Sequence, residues 1–324
     1  MKTLLLRQQD VVRHLDALAV LAALREGFRE HSATDAPAAW GARAEVAKDA
    51  SASVLFPGLS PSVPAYSVKV QARFANAAQL ATSFLHLHDR ATGELLAVME
   101  ASQLTSLGTG LTAALAADVL ARPEASTVAL LGASRQASVA LKCLRLVRSL
   151  RSVRIWDRDP AAADALARRT WQTLSLPSQT ALNVEEAVAE ADLVLCVDDG
   201  GEPLLYPGML RSGAHVCSLP AGEPGKADLS ANLIRQSKFF CDDRALAQSQ
   251  GILGALGLGG DLVAAELGEV LRGTREGRIH GDEITLFAAV GLPLTDLSAA
   301  WSVYESAKED ETIARIDFGE AVTL

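Results

Sequence analysis

Nowhere does the sequence hold 18 consecutive apolar residues, so a membrane-spanning helix has nothing to be built from. The opening MKTLLLRQQD has one lysine and an apolar run cut off at Arg7, too short for the core of a signal peptide. Together these absences predict a chain that stays in the cytoplasm and makes no membrane contact. Blocks of Lys or Arg are also missing, and acidic residues outnumber basic ones 39 to 30 for a net charge of −9. A phosphate backbone would find no electrostatic footprint here, which excludes nucleic acid as a partner. Cysteine is scarce: Cys143, Cys196, Cys217 and Cys241 are widely spaced in apolar contexts, with no C-x-x-C and no Cys/His alternation. That pattern reads as reduced core residues rather than a zinc site or a disulfide framework. With neither a G-x-S-x-G elbow nor a Walker loop, hydrolase and kinase readings have no support.

What is present is a soluble α/β composition, 49% hydrophobic and 21% charged with only 5% aromatic. The length of 324 residues predicts two domains, since one domain usually takes roughly 100 to 200. Residues 2–7 read as a short strand, and Asp10 is placed to cap a helix whose apolar positions Val11, Leu15, Leu18, Leu21, Ala22 and Leu24 recur at helical spacing. YSVKVQARF alternates with period two, placing Tyr66, Val68, Val70, Ala72 and Phe74 on one face and Ser67, Lys69, Gln71 and Arg73 on the other. SFLHLHDRATGELLAVME reads as a hairpin turning at Thr92-Gly93. From Ala113 onward the short apolar runs TVALLG, SVRIWD, DLVLCV, AHVCSL, KFFCDD and ITLFAAV alternate with helical segments. Such runs suit a parallel sheet covered on both faces, a doubly wound fold. The tail SAAWSVYESAKEDETIARI is predicted helical, with no strand after it, packing back on the first domain.

The loop after TVALL carries the chemistry. In GASRQA, Gly132 takes the first place of a dinucleotide-binding G-x-G-x-x-G/A turn, Ser134 the second and Ala137 the third, with Ala133, Arg135 and Gln136 between them. The first glycine makes the tight turn, the second allows close approach of a pyrophosphate, and the helix that follows points its N–H groups at the phosphates. The next strand ends in Asp157, where a carboxylate would hold the ribose hydroxyls. Asp157 favours NAD by repelling a 2′-phosphate, whereas Arg158 beside it could attract one, so NADP stays open. Two other clusters carry less. His86 and His88 flank Leu87 without a third ligand, so no metal is expected. Glu266 and Glu269 lie three apart in a helical segment and read as surface charge with Arg272.

Lys69 in VKV, TGELLAVMEASQLTSLGTGLTAALAA, LLGASRQA, VRIWDRDP, ADLVLCVDDGGEPLL, GAHVCSL, PGKADL, AAELGEVLRGTREGR and EITLFAAVGLPLTDLSAA together span nearly the whole chain. Through these segments the sequence resembles the ornithine cyclodeaminase and mu-crystallin superfamily. The resemblance implies an α/β protein: a doubly wound Rossmann domain at 120–298, and a strand-rich mixed α+β domain, 1–119 with 299–324, that supplies dimer contacts and substrate binding. It implies a homodimer and an NAD(P)-dependent oxidoreductase that transfers hydride between the nicotinamide and the Cα of a small amino acid or imino acid, as a ketimine reductase or an amino-acid dehydrogenase does. Lys69 matches the family lysine that contacts the substrate carboxylate or transfers a proton, and Arg43 an early carboxylate-binding arginine. Thr109 would lie near the cofactor phosphates. Val197 and Asp198 after VLC, Leu219 after HVCS and Gly291 after ITLFAAV would be further cofactor contacts.

Three departures bear on the site, two at the substrate and one, Asp198, near the expected cofactor edge. Gly108 stands where the family carries a carboxylate-clamping arginine, so a bidentate contact is lost. Gly222 stands at the aspartate of the cyclodeaminase Asp-x-Pro-Gly-Lys, with Glu223 displaced by one residue. Asp198 replaces a threonine common among relatives. Without the guanidinium at 108, Arg43 or Arg73 would have to hold a carboxylate, although Arg73 lies four residues, roughly 13 Å, along the strand from Lys69. Ornithine cyclodeaminase activity, releasing proline and ammonia, is the alternative these changes disfavour, and a cofactor-binding protein without catalysis is the other.

Overall fold

Alternation in the first hundred residues builds one sheet and the later apolar runs build another. The computed structural model describes residues 2–33, 40–47, 50–74, 81–198, 201–219 and 227–318, and for 40–47, 50–56, 73–74 and 81–82 it describes the backbone alone. In chain order the elements are β1 (Thr3–Leu6), α1 (Gln8–His14), α2 (Ala17–His31), β2 (Trp40–Ala47), β3 (Ala50–Gly58), β4 (Ala65–Phe74), β5 (Ala81–Asp89), β6 (Leu95–Glu100) and α3 (Ser102–Leu120). There follow β7 (Thr127–Leu131), α4 (Arg135–Leu144), β8 (Ser152–Trp156), α5 (Pro160–Leu174), β9 (Ser178–Thr180), α6 (Val184–Val188), β10 (Leu193–Cys196) and β11 (His215–Ser218). The chain ends through α7 (Ala231–Gln236), β12 (Lys238–Cys241), α8 (Arg244–Ser249), α9 (Ile252–Ala255), β13 (Val263–Glu266), α10 (Leu267–Arg272), β14 (Thr285–Ala288), α11 (Pro293–Ala307) and β15 (Ala314–Ile316). Contacts divide it into Met1–Gly108 with Leu292–Leu324, and Thr109–Gly291. Both divisions fall earlier than the expected 119/120 and 298/299. The first runs through α3, because a sequence shows where a helix stops but not where its neighbours change.

The first unit holds a seven-stranded sheet in the order β15-β1-β6-β5-β4-β3-β2. Its pairs are antiparallel except β1 with β6. Asp10 does not cap the helix there. Arg7 is the cap residue of α1, and Asp10, in its first turn, accepts from the Arg7 backbone and guanidinium. Asp16 caps α2, accepting from the amides of Leu18 and Ala19 at 2.9 and 3.2 Å. One helical periodicity runs through both helices, so the break at Leu15-Asp16 was hidden by it. The tail also differs from expectation: after α11, β15 pairs antiparallel with β1, Thr3 opposite Ile316. Three short residues at a sheet edge leave little periodic signal.

The faces of β4 are the reverse of what polarity suggests. Ser67 and Lys69 are buried, while Val70 is 40% exposed and its cross-strand partner Phe84 46%. The reason is α11, whose residues Leu294, Asp296, Leu297 and Ala300 are buried within this unit. Gly58 lets that helix lie directly on the sheet, since a Cβ there would come within 2.7 Å of the Pro293 carbonyl oxygen and 3.2 Å of Leu297. Val20, Leu24 and Phe28 are the buried stripe of α2, fully removed from water. Each contributes roughly 1.5–3 kcal/mol by burial.

The second unit is an eight-stranded, all-parallel sheet in the order β13-β12-β14-β11-β10-β7-β8-β9. All six apolar runs became strands. The chain goes from β7 outward to β8 and β9, then crosses back to β10 on the other side, so the strand order reverses between β7 and β10. In open α/β sheets ligands bind outside the carboxyl ends of strands at such a point. Glu266 and Glu269 do more than add surface charge. Glu266 ends β13 and forms a reciprocal capping box with Glu269 at the start of α10, and it also accepts from the Arg244 amide at 2.9 Å. All four cysteines are buried and unpaired with one another, and burial pushes the Cys143 thiol up to about 12.

His215 opens β11 fully enclosed, its ring nitrogens 2.9 Å from Thr285 Oγ1 and 3.2 Å from Cys217 Sγ. Burial lowers its pKa to about 3 from an ordinary 6.5. A depressed folded-state value means that its contribution to stability is complete above pH 6.5 and declines as the pH falls towards 3. Between pH 6.5 and 4.5 the loss is about 2–3 kcal/mol. Buried carboxylates titrate in the opposite sense, so the informative quantity is the difference between proteins. Unfolding free energy of His215→Asn, measured by denaturant across that range, is expected to fall less steeply than that of the unmodified protein; equal slopes would contradict the assignment.

Candidate cofactor loop and buried lysine cluster

The turn after β7 requires glycine. Gly132 has φ +101°, and a Cβ there would sit 2.6 Å from the Val197 carbonyl oxygen. Ser134 needs no such freedom: its backbone is extended at φ −67° and ψ 169°, and its hydroxyl caps α4 by accepting from the Ala137 amide at 3.2 Å. The serine in the second place of the motif is therefore the helix cap. It is exposed, as is Arg135, while Gln136 is partly covered and Ala137 fully buried. The first amides of a ten-residue helix have no intrahelical acceptors and point beyond its end, where a phosphate group would meet them.

Asp157 follows β8 and reaches back to the loop, one oxygen accepting from the Ala133 amide at 2.6 Å and the other from the Asp159 amide at 2.8 Å. Arg158 beside it is committed elsewhere: its Nε and Nη2 lie 3.3 and 3.2 Å from one oxygen of Asp198. The Asp198 side chain is buried and the Arg158 side chain half exposed. Val197 donates to the Leu131 carbonyl, Leu219 donates to the Cys196 carbonyl, and Gly291 takes φ +99° and donates to Asp242 at 2.7 Å. Asp157, Gly132, Val197, Asp198, Leu219 and Gly291 thus follow the carboxyl ends of five adjacent strands, β8, β7, β10, β11 and β14. Thr109 lies on α3 next to Gly110, where a Cβ would come within 2.9 Å of Cys143 Sγ and 3.2 Å of Ala140 on α4.

Two further carboxylates lie at this edge, outside any motif of the sequence. Asp242 accepts from the amides of Val290, Gly291 and Asp243, and burial pushes its carboxyl up to about 6. Asp228 accepts from Ser218 Oγ at 2.6 Å and is likewise pushed up by burial to about 6. Asp242 directly follows the apolar strand β12, whereas Asp228, in PGKADL, lies ten residues beyond the end of β11 and has no such strand-end signal.

In the first unit, Lys69 is buried. Its Nζ donates to Asp296 Oδ2 at 2.5 Å and to Thr105 Oγ1 at 3.2 Å, while Thr105 Oγ1 donates to Asp296 Oδ1 at 2.9 Å. Three elements supply the cluster: β4, the first turn of α3, and the first turn of α11. Gly108, one turn beyond Thr105, faces α11 as well, its missing Cβ 3.5 Å from Thr295. Ordinary contact there means that packing does not demand the glycine.

Arg43 pairs in register with Ser53, and Ser53 with Gln71, two residues along β4 from Lys69. The side chains of Arg43 and Arg73 lie outside what is described, as do Gly222 and Glu223 entirely. His86 and His88 face outward with Tyr66, whose ring stacks on His88 at 4.8 Å. Among the described residues no three potential ligands group around a metal position.

A family model described as "Ornithine cyclodeaminase/mu-crystallin family" matches residues 1–311. The ketimine reductase mu-crystallin of Mus musculus is 32% identical over 222 residues, 68% of this chain and 68% of its own. Among solved structures, the Delta(1)-pyrroline-2-carboxylate reductase of Thermococcus litoralis, in complex with NADH and L-proline, superposes with a TM-score of 0.87 at 26% identity over 95% of this chain and 98% of that one. An archaeal alanine dehydrogenase dimer with bound NAD gives 0.91 at 25% identity, covering 98% and 100%.

Proposed function

Because the chain belongs to the ornithine cyclodeaminase/mu-crystallin family, we propose that it is an NAD(P)-dependent oxidoreductase acting on a small amino acid or imino acid. The observation that carries this reading is the turn at Gly132, where positive φ and the absence of a Cβ open a cradle against Val197. The residues present fit a dinucleotide. The α4 amides would hold the pyrophosphate, Asp157 the ribose hydroxyls, and the strand ends at Val197, Leu219 and Gly291 the rest. When bound, the nicotinamide supplies hydride exchange with the substrate Cα. Lys69 either holds the substrate carboxylate or carries a proton at its nitrogen. Relatives support the substrate class: the mouse protein is a ketimine reductase, and the Thermococcus enzyme was captured with L-proline.

The test is NADH oxidation with 1-pyrroline-2-carboxylate, with piperideine-2-carboxylate and with pyruvate plus ammonia, beside ammonia release from ornithine. Turnover of a ketimine or keto acid is expected. Stoichiometric proline and ammonia from ornithine would replace the reading with cyclodeaminase, and nucleotide binding without turnover would replace it with a non-catalytic binding protein.

NAD is the expected cofactor, because Arg158, the arginine beside Asp157, is paired with Asp198. Asp198→Asn should release Arg158 and lower the ratio of NADPH to NADH dissociation constants about tenfold, a shift of about 1.4 kcal/mol. An unchanged ratio by fluorescence titration would count against it.

The reading includes a cytoplasmic homodimer. No helix among the described residues is long and apolar enough to cross a membrane. Val70 and Phe84 expose apolar surface on the outward face of β4 and β5, beside a groove lined by Leu5, Leu6, Val98 and Met99. Neighbouring exposed apolar side chains support a subunit contact on this face, and the archaeal alanine dehydrogenase relative is a dimer. Phe84→Glu is expected to shift light scattering from dimer towards monomer; an unaltered dimer would place the contact elsewhere.

A further inference from the structure

We propose that Asp242 is a positioning residue for the nicotinamide end of the cofactor: it holds the turn after β14 so that two backbone carbonyls face outward and accept from the carboxamide N–H groups. The proposal rests on the dinucleotide reading above.

The chain departs from strand geometry just past β14. Ala289 donates to the Ser218 carbonyl of β11 at 3.1 Å, and Val290 donates on the opposite side, to Asp242 beyond the end of β12, at 2.9 Å. A continuing strand would turn the Gly291 N–H back towards β11. Instead it points to the same Asp242 oxygen, at 2.7 Å, and the chain leaves the turn through φ +99°. A trans peptide directs its C=O opposite to its N–H, so the carbonyls of Ala289 and Val290 both point away from Asp242. The ladder does not claim the first of them. Carrying the β11–β14 register one rung further would call on the amide of residue 220, and Pro220 has no N–H to give. Among the described residues neither carbonyl accepts a hydrogen bond. The turn is open to a ligand, with Ala289 and Val290 half-buried and Gly291 exposed.

Strand order indicates which part of a dinucleotide would meet these acceptors. Asp157 follows β8 and would hold the adenosine ribose, and the α4 amides after β7 would hold the pyrophosphate; β10, β11 and β14 lie on the far side of β7 from β8. The nicotinamide half therefore belongs on the side of β14, and its carboxamide brings two N–H donors.

Asp242 is 1% exposed, and its charge is met by the amides of Val290, Gly291 and Asp243, with no salt bridge among the described residues. Burying a carboxylate costs free energy that a neutral side chain would avoid. It supplies grip in return, because hydrogen bonds to an ionised acceptor are about twice as strong as neutral ones. Asp242→Asn keeps the volume but sets an NH2 group against one of the three amides, and so loosens the turn.

The reduced acetylpyridine analogue of NADH carries a methyl ketone in place of the carboxamide and has no N–H to donate. Its Kd is compared calorimetrically with those of NADH and of ADP-ribose, which lacks the nicotinamide altogether. The unmodified protein is expected to bind NADH about tenfold tighter than the analogue, the scale of one or two hydrogen bonds. In Asp242→Asn that ratio is expected to fall below about threefold through weaker NADH binding, while ADP-ribose stays within about threefold of its original Kd. Gly291→Ala strains the same turn, although its Cβ would meet no atom within 4 Å, and should lower the ratio likewise; it decides the matter if Asp242→Asn does not fold. A ratio below about threefold in the unmodified protein, or one unchanged in a variant that folds, would overturn the proposal. So would an ADP-ribose loss in Asp242→Asn as large as the NADH loss, which would make Asp242 a support of the whole unit. Failure of the unmodified protein to bind either NADH or ADP-ribose would instead overturn the dinucleotide reading itself.

Discussion

Gly132→Ala is expected to weaken NADH binding more than a hundredfold while leaving the first unit folded. Two costs act together. At φ +101° a side chain is strained, with a penalty of about 1–3 kcal/mol. The added carbon would also lie 2.6 Å from the Val197 carbonyl oxygen and 2.8 Å from its carbon, which are backbone atoms with no rotamer to yield. The loop must move, and with it the Ala133 amide that binds Asp157 and the first turn of α4. Ser134→Gly provides the contrast: it loses the cap to Ala137 but relaxes no strain, and should change NADH affinity less than fivefold. Fluorescence titration of both variants checks the pair, and equal losses would mean that the turn geometry is not what the nucleotide reads.

Lys69→Met is expected to lower kcat by about a hundredfold to ten-thousandfold and to destabilise the first unit. Removing one partner of a buried ion pair strands the other, at a cost of about 3–5 kcal/mol, and here Asp296 would be left 4% exposed with the Thr105 hydroxyl as its side-chain donor among the described residues. The double variant Lys69→Met/Asp296→Leu should recover most of that stability, since replacing a buried pair by apolar side chains of similar volume is often neutral. It should remain inactive. Thermal unfolding beside steady-state assays tests both halves: a double variant as unstable as the single would show that lost packing, not a stranded charge, was the cause, and an active one would remove Lys69 from the chemistry.

Outside the strand-rich half, most of the architecture was legible. Runs such as TVALL, LVLC and TLFA are bounded by turn residues and buried on both faces, so their composition alone says parallel strand. The SQT edge strand and the VAAE strand escaped because a three- or four-residue strand at a sheet edge has no period to detect. The Glu266–Glu269 spacing is ambiguous in sequence, since a capping box and a surface pair share it, and the capping box is the one formed.

By itself the sequence determined the dinucleotide turn, because each of its requirements is local: a glycine after a strand, a helix cap two residues on, an acid closing the next strand. It did not determine where Lys69 sits. Alternation shows which residues of β4 share a face, but which face turns inward depends on what covers it, and that cover is α11. Asp296 comes from 227 residues away. The Arg158–Asp198 pair spans 40 residues and likewise reversed the meaning of a side chain that had looked free to attract phosphate. Charges buried or neutralised by distant partners are set by tertiary contacts, and no local pattern encodes them.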